Sequence, residues 1–78
     1  MEIKYSKQAE KFLARQTAEV SARIRHAIEQ IPMGDIVKLQ GQDKYRLRVG
    51  SYRVIFDRFG RVLFILKINN RGDVYKSL

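Results

Sequence analysis

The stretch Tyr45–Phe56, YRLRVGSYRVIF, constrains this chain more than any other. Tyr45, Leu47 and Val49 alternate with Arg46 and Arg48, the period of two that belongs to a half-buried strand. Gly50-Ser51 follows, a two-residue link with glycine first, as a type II′ hairpin turn requires. A turn of that length fixes the register: Val49 faces Tyr52, Arg48 faces Arg53 and Arg46 faces Ile55. The hairpin therefore places Arg46, Arg48 and Arg53 on one face and Leu47, Val49 and Val54 on the other, which any fold of this chain must cover.

The upstream residues supply the cover. Glu2–Tyr5 reads as a short strand with Ile3 and Tyr5 on one side. Ser6 is placed to cap a helix over Lys7–Gln16, whose apolar stripe is Ala9, Phe12 and Leu13. Thr17 caps a second helix, with Glu19 in its first turn and Val20, Ile24, Ile28 and Ile31 as its stripe, up to the stop at Pro32 and Gly34. So short a junction makes the helices an αα-hairpin with both stripes on one core.

Downstream, Ile36–Gln40 is expected as a strand, Gly41–Asp43 as a turn and Tyr52–Asp57 as the return strand. Phe59-Gly60 marks the next turn. Val62–Ile68, VLFILKI, is apolar on both sides apart from Lys67, the pattern of an interior strand covered on both faces. Asn69–Asp73 is expected as a turn and Val74–Leu78 as a short stub. The order β-α-α-β-β-β-β gives an α+β fold: a short N-terminal strand and an αα-hairpin on one face of a largely antiparallel sheet, a single domain over residues 1–78.

Sixteen Lys and Arg against eight Asp and Glu leave a net charge of +8 on 78 residues. Such an excess selects phosphate backbones, acidic proteins or anionic membranes as partners. There is no cysteine, which excludes disulfides and thiolate metal sites. No apolar run reaches the roughly 20 residues of a membrane span, and the N-terminus lacks a secretory core, so the expectation is a cytoplasmic protein with no membrane partner.

Like charges directly opposite each other weaken a hairpin, so Arg48 facing Arg53 is a poor choice for stability alone. Three guanidinium forks gathered on one face suit phosphate. A solvated face with splayed arginines is the plainer alternative, and the opposed pair with Arg46 on the same strand weighs against it. His26, the only histidine, falls on the polar side of its helix and has no companion for a metal site or a triad. Lys4, Lys7 and Lys11 read as a solvated helix face.

The residues from KLQGQDKYRLRVGSYRVIFDRFG to the closing NNRGDVYKSL resemble the C-terminal half of RelE-type toxins of the RelE/ParE superfamily, and the helical hairpin matches that family in layout. The resemblance implies the toxin of a type II toxin–antitoxin system, a ribosome-dependent endoribonuclease that cleaves mRNA by 2′-hydroxyl attack on the adjacent phosphate and so inhibits translation. Its implied partners are an acidic RelB-like antitoxin, the ribosome with its mRNA, and operator DNA in a complex with the antitoxin. No cofactor or metal is implied. By motif position it assigns catalysis to Arg48, Arg53, Arg71 and Tyr75, and RNA binding to Arg46, Arg48, Arg53 and Arg71.

Arg46 and Arg48 stand where the best-known member has lysines, and Asn70 stands where many relatives carry histidine or lysine. Arginine stays protonated and is a poor base. That leaves Tyr75 as the proton-transfer candidate, three residues from the end of the sequence. Two other functions fit the same fold, a ParE-like gyrase inhibitor without catalysis and a non-toxic RNA-binding module. The phosphate-gripping set argues against the first, since a gyrase binder has no need of it.

Overall fold

The structure is a computed structural model and describes residues 2–70. Its elements are β1 (Glu2–Tyr5), α1 (Lys7–Ala14), α2 (Ala18–Glu29), β2 (Asp35–Lys38), β3 (Tyr45–Val49), β4 (Tyr52–Phe59) and β5 (Val62–Asn70). The strands form one sheet in the order β1-β5-β4-β3-β2. β1 joins β5 in parallel, and the other pairs are antiparallel. The expected α+β order is the one observed.

Both helices start where the sequence places them. Ser6 and Thr17 are extended, and their side chains accept hydrogen bonds from the N–H groups of Ala9 and Val20. The ends come earlier than expected. α1 closes at Ala14, not Gln16, because the Arg15 and Gln16 N–H groups turn back to Phe12 and Leu13 and tighten the last turn. α2 ends at Glu29, and Ile31 packs on the core from beyond it.

Ala9 and Leu13 of α1 and Ile24 and Ile28 of α2 are buried against Leu47, Val49, Val54, Phe56, Leu63, Ile65 and Ile68 of the sheet. Each of the Leu, Ile, Val and Phe side chains among them contributes about 1.5–3 kcal/mol by leaving water, and in a chain of this size they are the bulk of the core.

The sheet departs from expectation in three places. β2 covers Asp35–Lys38 and not Ile36–Gln40, since Leu39 already bonds across to Lys44 and starts the loop. β4 runs on to Phe59, so the turn is Gly60-Arg61, with Gly60 at φ 61°. Asn69 and Asn70 belong to β5 and not to a turn: they are paired with Arg53 and Tyr52.

β5 also differs in its covering. It is interior to the sheet, but the helices lie on one face only, and Phe64 and Lys67 on the other face are exposed. The apolar run has a different cause. The register with β4 shifts at Ile55/Phe56, where Ile55 faces Lys67 and Phe56 faces Ile65, which leaves Leu66 as an extra residue. Strict alternation from Leu63 and Ile65 would send Lys67 into the core; the bulge turns Lys67 outward and brings Ile68 in.

Residues Ser6 and Gln8 secure this bulge. The Ser6 hydroxyl donates to the Leu66 carbonyl at 2.8 Å. The Gln8 amide donates to the Ile68 carbonyl and accepts from the Ile68 N–H, both at 2.9 Å. β1 ends at Tyr5 opposite Ile65, so Gln8 takes the place of the next strand residue.

A candidate RNA interface on the open sheet face

The hairpin register is the one the Gly50-Ser51 turn dictates: Val49 opposite Tyr52, Arg48 opposite Arg53, Arg46 opposite Ile55. Gly50 has φ 59°, a conformation that glycine adopts without strain. Directly opposed residues point to the same side of a sheet, so the open face is built in rows. One row runs Asp35, Arg48, Arg53, Asn69 from β2 to β5. The next runs Val37, Arg46, Ile55, Lys67. Neighbouring strands are about 4.8 Å apart and rows about 7 Å apart, so Arg46, Arg48 and Arg53 share a patch roughly one nucleotide across.

The arginines are partly buried and unusually short of partners. The side chain of Arg46 is only 20% exposed and that of Arg48 37%. The Nε atoms of Arg46, Arg48 and Arg53 are all out of reach of solvent, and none makes a hydrogen bond. A buried donor without an acceptor costs about 1–3 kcal/mol. Three in one patch are a feature that folding alone does not explain. The carboxylate of Asp35 lies 3.6 Å from Arg46 Nη2 and, through its other oxygen, 3.6 Å from Arg48 Nε. At that length charges attract, but no hydrogen bond forms. Arg53 makes no ion pair among the described residues.

The sequence-assigned set is thus brought together in part. Arg46, Arg48 and Arg53 are adjacent on one face. Arg71 and Tyr75 lie outside the described residues, and Arg71 follows directly on Asn70, the last residue of β5. Asp35, Lys67 and Asn69 were not singled out from sequence. The signal for Lys67 was present, as the lone charge in an apolar strand. Asp35 and Asn69 needed the pairing of β2 with β3 and of β5 with β4.

The other candidates stay apart from this face. His26 is exposed on α2. Among the described residues no group of three or more His, Asp or Glu could hold a metal ion. An apolar groove of about 160 Å³ between the end of α2 and the sheet edge is lined by Ile31, Pro32, Ile36, Tyr45, Phe56 and Arg58 and holds none of the arginine triad. No helix of the described residues is long and apolar enough to cross a membrane.

No family model and no curated protein matches the chain. Solved structures do. A chain of the archaeal RelE–RelB complex from Pyrococcus horikoshii OT3 is 34% identical, with 91% of this chain and 94% of that chain covered and a TM-score of 0.71. This chain belongs to the RelE toxin family. The RelB–RelE antitoxin–toxin complex from Methanococcus jannaschii has a chain of the same fold, at a TM-score of 0.77 and 24% identity over 96% of this chain and 98% of that one. The intact RelBE toxin–antitoxin complex of E. coli shares the fold at a TM-score of 0.68 and 16% identity, over 88% and 94% of the two chains. The RelE fold accounts for the layout found here, with both helices on one face of a largely antiparallel sheet.

Proposed function

We propose that this RelE-family chain is a ribosome-dependent endoribonuclease that cleaves mRNA and is silenced by a RelB-like antitoxin. The observation that carries the reading is the trio Arg46, Arg48 and Arg53, gathered on the open face with buried, unbonded Nε donors. In the reaction the 2′-hydroxyl of one nucleotide attacks the adjacent phosphorus. The bond to the 5′-oxygen of the next nucleotide breaks, leaving a 2′,3′-cyclic phosphate and a 5′-hydroxyl. Negative charge builds on the non-bridging oxygens as phosphorus becomes five-coordinate. Fixed guanidinium groups stabilise that charge more than the ground state, which is how they lower the barrier.

Arginine gives charge and not proton transfer. The 2′-hydroxyl must lose a proton and the leaving oxygen must gain one. Tyr75 is the residue we assign to that exchange, and Arg71 joins the phosphate grip, both from motif position. The antitoxin reading is supported by the complexes in which the similar chains were solved and by the net charge of +8, which favours an acidic partner. A cytoplasmic site of action and an operator-bound complex belong to the same proposal.

The deciding experiment adds the purified chain to ribosomes programmed with a defined mRNA. Wild-type protein is expected to yield fragments ending in a 2′,3′-cyclic phosphate, and Arg53→Ala to yield none. Intact mRNA, with filamentation and DNA damage on induction in cells, would replace this reading with gyrase inhibition. Intact mRNA with no growth defect would leave a non-toxic RNA-binding module.

A further inference from the structure

Asp35 occupies a place in the arginine face that the proposed chemistry does not use. It sits on the edge strand β2 as the Cα partner of Arg48, one row from Arg46. One carboxylate oxygen is 3.6 Å from Arg46 and the other 3.6 Å from Arg48, so a single side chain spans both guanidinium groups. The carboxylate is about half exposed, whereas Arg46 is mostly buried. It therefore lies at the outer margin of the patch, beside the two arginines and open to solvent.

We infer that Asp35 is a positioning residue of the RNA site: an internal counter-ion that holds Arg46 and Arg48 side by side without RNA and competes with phosphate for them. The inference rests on the RNA-cleavage reading above. Arg46, Arg48 and Arg53 are like charges at neighbouring positions of one face, and unopposed they repel. A carboxylate between two of them keeps both forks in the patch. Because neither contact is short enough to be a hydrogen bond, phosphate, which accepts bidentate bonds from arginine, can bond the two forks while the carboxylate keeps its place between them. Arg53 has no such counter-ion among the described residues, so it is the first to attract the backbone, and Arg46 and Arg48 follow. Asp35 thus lowers affinity for RNA in general and raises the rate of the correctly seated complex. That is the trade expected of a group that acts against ground-state binding and for transition-state geometry.

The experiment compares wild type, Asp35→Asn, Asp35→Glu and Arg53→Ala. Binding of a 2′-O-methyl RNA hexamer, which cannot be cleaved, is followed by fluorescence anisotropy across a salt series. Single-turnover cleavage is measured on programmed ribosomes at saturating enzyme. Asp35→Asn is expected to bind the hexamer several-fold tighter, with a salt slope steeper by about 0.7, the contribution of one more phosphate contact on a single strand. It is expected to cleave several-fold more slowly at saturation, and Asp35→Glu to stay near wild type in both. In wild-type protein the Nε–H resonance of Arg48 is expected to shift as the hexamer is titrated in, a readout that needs no variant.

Equal affinity and slope for Asp35→Asn, with Arg53→Ala weakened, would overturn the role of Asp35 and leave the RNA reading standing. Weaker binding by Asp35→Asn together with a lower melting temperature would make Asp35 a structural brace. A wild-type protein that does not bind the hexamer and does not cleave would end the RNA reading itself, and this inference with it.

Discussion

Arg48 on β3 and Arg53 on β4 are direct Cα partners across the Gly50-Ser51 turn, both on the face the helices leave open, and only Arg48 has an acid beside it. The pairing is unfavourable for the hairpin, where opposed like charges destabilise by up to about 1 kcal/mol. It persists at the centre of the sheet, with both Nε atoms shut off from solvent.

Replacing either arginine is therefore expected to remove function without removing the fold. Arg53→Ala should abolish mRNA cleavage and toxicity while the melting temperature stays level or rises by a few degrees, because it relieves repulsion and deletes an unbonded donor. Arg48→Ala should lose as much activity but gain less stability, since Asp35 already offsets part of its charge. Growth curves and thermal melts on the same preparations check both. A variant that fails to fold would show that its arginine is structural.

The hairpin was legible in the sequence because its information is local. A two-residue turn with glycine first and a strict alternation are enough to fix which arginines meet. The caps at Ser6 and Thr17 were legible for the same reason. Longer-range features were not. The parallel pairing of β1 with β5 joins residues about 60 positions apart, and nothing in EIKY specifies it. The bulge at Leu66 looked like a strand covered on both faces, because one inserted residue and true two-sided burial produce the same apolar run. Asp35 was invisible as a site residue, since its approach to Arg46 and Arg48 depends on how β2 pairs beyond the loop 39–44. Arg71 and Tyr75 rest on motif position alone.

Gln8 carries a second prediction. Its amide exchanges two hydrogen bonds with the backbone of Ile68, just past the bulge. Gln8→Ala leaves one N–H and one carbonyl of a buried residue to find water. The expected cost is about 1–2 kcal/mol, or roughly 4–16 °C in melting temperature for a domain of this size. Hydrogen exchange at the Ile68 amide should speed up with it. An unchanged melt would mean that water replaces the side chain at no cost.

Tyr5 makes stability depend on alkaline pH. Burial raises its phenol above the ordinary value near ~10, against the pull of the Arg25 guanidinium, which sits 5.0 Å above the ring. A raised pKa means that the folded state favours the neutral phenol. This contribution is fully present below about pH 10 and is lost as pH rises through the folded-state value. Tyr5→Phe cannot ionise. Its stability relative to wild type is expected to be constant from neutrality to about pH 9.5 and to improve above that. Melts of both proteins across that range test the sign; a difference that moves the other way would place a stabilised phenolate in the folded protein.

Lys67 tests whether the open face works as one surface. The bulge directs it outward into the row of Arg46 and Ile55, two strands from Arg46 and so about 10 Å away. From there its flexible stem can reach a further phosphate of a single strand held by the arginines. Lys67→Ala is expected to weaken hexamer binding several-fold and to reduce the salt slope by about 0.7, one contact fewer. Because the side chain is exposed, stability should move by no more than about 0.5 kcal/mol. Lys11→Ala, an exposed lysine on α1 at the helical side of the sheet, changes the net charge equally and serves as the control. If binding depends on placement, Lys67→Ala loses affinity and Lys11→Ala barely does. Equal losses in the two variants would mean that the net charge of the chain attracts RNA and that the rows of the open face do not select where it lies.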